Sequence, residues 1–455
     1  MDKAMSSSKK SSFKWAVLFL MVFSAAVLNF SNMVFSARAI DVMAQFNMNQ
    51  AQLTAISGIG VLPGALFSVL LGSFFDKRGP KSVRFAGATL LFLAATCQIW
   101  RVFAGSYVEL FVITFLSGTF FLPTQVLPAK MIEAWFDRSE MGIAMGIYGA
   151  AAGVGITCTF ALGALFPTTT MALSFCAGGY VVAALYWFLA AKMPDAKPAV
   201  ANTIDKATAS SASNDSQVAG EADSRVSIKT VLKSRNMWLV MICGGLAAGA
   251  PLLYNSYIIN AFIDKGMEPG LTSMVGVVFN IGLVVGAVVT GIIVSKAGRY
   301  NRVYTVFPLV SAAVLAASYF APLGPQTFVL TAVGALFAAC TLSVNMARIG
   351  LLPLTGDFGP ENIGIAGGMN NMAMGICMFA LPTISAAVLG SNYVGVFVTL
   401  AAFFALMALC GGILLPELGE NGELARQHHS GRAREHEAGQ HGICDSLAKP
   451  WGNTD

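Results

Sequence analysis

Arg38, Lys130 and Arg348 stand out because each is a cation in or at the end of a long apolar stretch. A cation near the centre of a bilayer costs about 2.5–3.5 kcal/mol on insertion scales, so one that is retained needs a partner or a task. Arginine carries a planar fork matched to carboxylates, which points to reversible binding of an anion. Each of the three, however, lies about 22 residues from the far end of its run, hence near a membrane interface. There, snorkelling or pairing within a gate is the alternative. Glu133, Asp137 and Arg138 follow Lys130 closely and supply further charges for such a gate. Uncharged polar residues form a second group. Asn29, Asn32 and Ser36 share one helical stripe at i, i+3 and i+7, and Tyr254, Asn255 and Tyr257 form a comparable set, as do Thr341, Asn345 and Arg348. In lipid such side chains face the bundle interior, where solute contact and hydrogen bonding between helices serve equally well.

The chemistry that is missing narrows the function. No Asp or Glu lies in the central portion of any apolar run, so a buried carboxylate relay for cationic substrates has no carrier. No nucleophile with a base, no phosphate loop and no metal-ligand spacing is present, so neither an enzyme nor a cofactor or metal is expected. Seven of the eight cysteines fall in apolar stretches and read as small packing residues. The net charge of +5 is scattered in short loops without interleaved aromatics, which argues against nucleic acid.

The elements that must hold these residues are membrane helices. Of 455 residues 56% are hydrophobic and only 11% charged, too few charges to cover a water-soluble surface. Apolar runs bounded by charges or turn residues fall at about 15–36, 53–75, 83–104, 107–130, 141–165 and 171–191, and again at 236–262, 272–295, 303–321, 326–349, 363–389 and 393–415. Each matches a helix crossing about 30 Å of hydrocarbon. Pro63, Pro123, Pro128, Pro251 and Pro382 are expected to interrupt spans 2, 4, 7 and 11. The domains expected are a cytoplasmic N-terminus (1–14), a six-helix bundle (15–194), a flexible linker (195–235), a second bundle (236–415) and a polar tail (416–455) carrying all four histidines. With the termini cytoplasmic, only Arg38, Arg101 and Lys265 lie on the outer face, leaving 25 of 28 basic residues inside.

An internal repeat relates the two bundles. Residues 142–153 match 364–375 at a separation of 222, and 72–79 match 291–298 at 219. The fold expected is all-α, with twelve transmembrane helices in two pseudo-symmetric six-helix bundles.

Gly72-Ser-Phe-Phe-Asp76-Lys77-Arg78-Gly79-Pro80-Lys81 resembles the loop 2–3 signature of the major facilitator superfamily, and residues 291–298 look like its degenerate second copy. The resemblance covers residues 14–415 and implies a membrane transporter whose halves rock around a central site. It implies that spans 1, 4, 7 and 10 line the cavity, and that Asp76 braces the start of span 11 near 360–362. The segment from Glu133 to Gly146 is similar to branches carrying small anions, such as monocarboxylate, oxalate/formate or cyanate porters. Signatures of proton-coupled drug antiporters are absent from spans 4 and 5. A small-molecule substrate is expected, with a coupled proton or an exchanged anion, in a monomer embedded in the cell membrane. Export of a hydrophobic compound is the alternative, and a transport-dead receptor a remote one.

Overall fold

The computed structural model describes residues 2–78, 80–136, 138–163, 165–191, 228–297, 300–349, 351–358 and 362–416. Gly79, Asp137, most of the expected linker and almost the whole tail with its histidines lie outside the described residues. So do the side chains of Asp76, Lys77, Arg78, Lys81, Glu133 and Arg138, and the surroundings of Gly72.

Every described element is helical, as lipid requires of a backbone that must satisfy its own polar groups. Ten helices among the described residues are long and apolar enough to cross a membrane, and two shorter ones, Tyr107–Phe120 and Ile147–Gly163, occupy the places of spans 4 and 5. Large apolar side chains such as Phe19, Leu70, Phe103 and Val388 are mostly exposed around the bundle, the surface expected where the solvent is hydrocarbon. The ends of spans 1, 3 and 5 remote from the N-terminus define the distal face, and the opposite face is proximal.

The helix bounds meet the sequence expectations in some places and depart from them in others. The helix of span 1 runs Asp2–Ala37, and its apolar stretch begins at Phe13, close to the expected start. Span 2 breaks after Ile59 and resumes at Leu62–Arg78. Span 4 is three pieces, Tyr107–Phe120, Pro123–Val126 and Pro128–Trp135, because both prolines sit at helix starts, where the missing N–H costs nothing. Pro251 and Pro382, by contrast, lie inside unbroken helices, Arg235–Asp264 and Ile363–Leu389, and so does Pro308 in span 9. Span 12 is α-helical over Tyr393–Met407 and then widens into a π-helical turn, Ala408–Leu414.

Distal helix starts are capped by side chains, which sets where each span leaves the interface. Asn49 and Gln52 form a reciprocal capping box at span 2, and Ser106, Thr168 and Asn392 cap spans 4, 6 and 12.

Within lipid, close packing replaces the hydrophobic drive between helices, and small residues permit it. Gly282 and Gly286 of span 8 press on the backbone and alanines of span 10 at Ala332–Ala339, and Gly118 of span 4 meets the backbone of Gly60 at the break in span 2. Two further glycines lie between the halves. A Cβ on Gly153 of span 5 would strike Val284 of span 8, and one on Gly375 of span 11 would fall 2.6 Å from Ala65 Cβ of span 2. The pairs are related by the sequence repeat itself, since 153 and 375 differ by 222 and 65 and 284 by 219. Both sit near the middle of their spans.

Candidate transport site and gates

The halves are hydrogen-bonded to each other at the distal end. Gln50 Nε2 donates to Ser256 O at 3.2 Å, and Asn260 Nδ2 donates to Gln50 Oε1 at 2.7 Å, with Met43 Sδ at 3.7 Å. This uncharged latch joins spans 2 and 7 across 210 positions of sequence. Sequence reasoning missed it, because a single amide near each span end gives no pairwise signal. A cavity of ≈ 310 Å³ lies beside it, lined by Ile40, Met43, Asn260, Ile263, Asp264 and Tyr393.

At the proximal end two groups of hydrogen bonds among the described residues tie elements of the same half together. Lys14 Nζ bonds both oxygens of Glu140, at 2.8 and 2.6 Å, tying span 1 to span 5. Ser234 Oγ and Asn236 Nδ2 both donate to Asp357 Oδ2, at 2.5 and 3.0 Å, fixing the start of span 7 to the loop before span 11. Lys130 is exposed. Asn362 is buried at the start of span 11, but the Asp76 carboxylate expected to face it lies outside the described residues.

Two of the expected anion-attracting cations have their forks filled by the protein. Arg38 Nη1 donates to Gly163 O at 3.0 Å and to Phe166 O, while Nη2 meets Asp41 Oδ2 at 2.5 Å. It thereby caps the carbonyl end of span 5, where a cation suits the helix dipole. Arg348 is fully buried between spans 9, 10 and 12. Its Nη1 donates to Gly411 O at 2.7 Å and its Nη2 to Asn301 Oδ1 at 2.6 Å, and the guanidinium lies 4.4 Å from the Tyr304 ring centroid. Gly411 lies in the last turn of span 12, where carbonyls have no partner within the helix, and supplies one to this arginine.

Most uncharged candidates are engaged with neighbours in the same half. Tyr254 Oη pairs with Thr331 Oγ1 at 3.1 Å and stacks on Phe279 at 4.3 Å. Asn255 and Asn280 exchange amide bonds at 3.3 and 2.9 Å. Tyr257 Oη donates to Gly390 O, Thr341 Oγ1 to Phe337 O, Ser36 Oγ to Ser57 Oγ and Asn29 Nδ2 to Ala25 O. Asn345 Nδ2 donates to Asn370 Oδ1 at 3.3 Å, leaving its own Oδ1 buried without a hydrogen-bond partner. Asn32 is buried against Gly60 and Thr114, its Nδ2 likewise without an acceptor. Two uncharged amides that the sequence reading did not single out are exposed at depth, Gln125 on the interrupted span 4 and Asn371 on span 11.

The three basic residues assigned to the distal face separate. Arg38 and Lys265 both bind helix-end carbonyls there, Lys265 Nζ reaching Ala321 O at 2.5 Å and Tyr319 O. Desolvation holds the Lys265 ammonium below the ordinary lysine range. Arg101 of span 3 instead turns inward and is 0% exposed. Its Nη2 donates to Ser31 O at 3.3 Å, its guanidinium lies 4.6 Å from the Phe35 ring centroid, and the Cys176 thiol and Tyr180 phenol stand beside it, whereas Nε and Nη1 make no close hydrogen bond. Around it stand a chain of neutral groups, with Gln98 Nε2 donating to Ser117 Oγ at 2.7 Å and Ser31 Oγ to Gln98 Oε1 at 3.3 Å.

The sequence profile of the Major Facilitator Superfamily matches residues 17–382. The chain belongs to that superfamily. Among curated proteins, Probable nitrate/nitrite antiporter NarK1 of Thermus thermophilus is 29% identical over 147 residues, 32% of this chain and 32% of that protein. The chain thus spans about a third of the length of the curated relative it matches. Solved structures similar to this fold include the nucleoside transporter NupG (TM-score 0.67, 14% identity, 87% of this chain and 97% of that one). A bacterial homologue of the lysosomal transporter Spinster, inward-facing and unoccupied, aligns with a TM-score of 0.65 at 11% identity, covering 88% and 95%. The D-xylose-proton symporter aligns at 0.63 and 14% identity, covering 89% and 98%. These likenesses establish the major facilitator fold in a multi-pass membrane protein.

Proposed function

We propose that the protein is a secondary transporter that carries a small organic anion across the cytoplasmic membrane by alternating access, with both termini cytoplasmic. The observation that carries the rocking motion is the pair of glycine contacts at Gly153–Val284 and Gly375–Ala65, two mid-depth bearings related by the repeat. A hinge between bundles is the motion such a seam permits. The orientation rests on the lysine and arginine asymmetry of the loops. The substrate class is supported by the absence of acidic residues from the span centres and by the partial likeness to a nitrate/nitrite antiporter. Nitrate, an inorganic anion of similar size and charge, is to be tested beside the organic ones. Asn32, Gln125, Asn345 and Asn371 are the uncharged groups proposed to meet the solute on its path.

A second reading, export of a hydrophobic compound, is favoured by one feature. An apolar groove of ≈ 550 Å³ opens between spans 2, 3 and 4, lined by residues that include Phe67, Leu71, Phe74, Leu90 and Phe120. Proteoliposome uptake of labelled formate, oxalate, nitrate and a neutral amphiphile, with and without a pH gradient, separates the two. Anion uptake that responds to the gradient or to a counter-anion supports the first reading. Movement of the amphiphile alone replaces it with the second.

A further inference from the structure

We infer that Arg101, through its charge rather than by contact, sets a preference for anions at a subsite on span 1 centred on Asn32; the inference rests on the anion reading above. Three observations carry it. The guanidinium is sealed inside the N-terminal half, and no carboxylate pairs with it among the described residues; its neighbours are a carbonyl, an aromatic face, the Cys176 thiol, the Tyr180 phenol and a neutral side-chain chain. Its Nε and Nη1 make no close hydrogen bond, so this charge is less compensated than that of a structural arginine such as Arg38. The carbonyl it does reach, Ser31 O, belongs to the peptide unit that leads directly into Asn32, whose Nδ2 is a buried donor lacking an acceptor. A donor without an acceptor beside a cation without an anion is the complement of a small oxyanion or carboxylate.

The site is closed in this conformation. Asn32 lies under Gly60, where span 2 is interrupted, and Phe35 covers the guanidinium. Movement of the two segments of span 2 about that break uncovers the Asn32 amide without disturbing Arg101. A solute at Asn32 then lies on the order of 10 Å from the charge, since one hydrogen bond and a few covalent bonds separate them. At an effective dielectric of about 20 this distance changes affinity by on the order of tenfold. Selectivity is a better explanation for the retained charge than stability, because replacing a buried charge by an apolar side chain of similar volume is often neutral or stabilising.

The test compares Arg101→Met, Arg101→Lys and Asn32→Ala with wild type in proteoliposomes, using nitrate and formate as anion probes, alongside thermal unfolding in detergent. Arg101→Met is expected to raise the anion KM by on the order of tenfold with kcat little changed and with an unfolding midpoint at or above that of wild type. Arg101→Lys, which keeps the charge, is expected to hold KM within about threefold of wild type, and Asn32→Ala to raise KM. An Arg101→Met protein with the wild-type anion KM overturns the inference. So does a matching loss in Arg101→Lys, or a fall in unfolding midpoint that accounts for the lost flux. Wild-type protein that carries neither anion, yet moves a neutral solute, removes the anion reading itself and this inference with it.

Discussion

Moving one methyl group across the seam between the halves tests the rocking motion directly. In Gly375→Ala the new Cβ falls 2.6 Å from Ala65 Cβ, whereas Ala65 Cα and N stand at 3.5 and 3.6 Å. The clash is therefore about 1 Å deep and confined to one methyl pair. Overpacking of this kind costs about 1–3 kcal/mol. The nearest atoms to that Cβ all belong to the opposite half, so the strain acts on the seam and spares the internal packing of span 11. A penalty of that size lowers the population of the seam-closed conformation by about 5- to 150-fold relative to any conformation in which these residues separate. Exchange flux in proteoliposomes should fall accordingly, with little change in the unfolding midpoint. Ala65→Gly in the same chain removes the opposing methyl and should restore most of the flux, giving a strong coupling in the double-mutant cycle. Normal flux in Gly375→Ala, or a loss that Ala65→Gly leaves untouched, refutes the reasoning.

Three further outcomes are expected. Asn260→Leu deprives the Gln50 carbonyl of its donor at a cost of about 1–3 kcal/mol, so a cysteine placed at Ser256 should react faster with an impermeant maleimide added on the distal side; an unchanged rate denies the latch. Arg348→Gln leaves Gly411 O and Asn301 Oδ1 without their charged donor and should lower stability by on the order of 2–3 kcal/mol, with Arg348→Lys a poor substitute because an ammonium has no fork to span both acceptors. A normal unfolding midpoint with flux abolished would instead favour a gate. Combined Pro123→Ala and Pro128→Ala supplies the two missing N–H donors in span 4 and should raise helicity by circular dichroism while slowing transport several-fold; unchanged flux assigns the breaks no part in the motion.

The spans were legible because about twenty apolar residues in a row have one physical solution in lipid. Proline was a poorer guide. Pro123 and Pro128 start new helical segments, while Pro251 and Pro382 sit inside continuous ones. Asn29, Asn32 and Ser36 were recognisable as a polar stripe, yet only packing decides that Ser36 bonds Ser57 while Asn32 keeps an unused donor. Arg101 illustrates the same limit. A basic residue at the end of an apolar run reads as an interfacial anchor, and its inward turn depends on Ser31 and Phe35, some seventy residues earlier.

The bearings at Gly153–Val284 and Gly375–Ala65 have an ancestral meaning. In a twofold dimer of half-length chains they would be a single contact written twice, and any change to it would act on both sides at once. Within one polypeptide that constraint is absent, and the two copies differ: valine faces one glycine, alanine the other. The bulkier side chain fills its side of the seam more fully, so under the proposed rocking motion the two sides are expected to differ in stiffness, giving a pseudo-symmetric fold a left and a right.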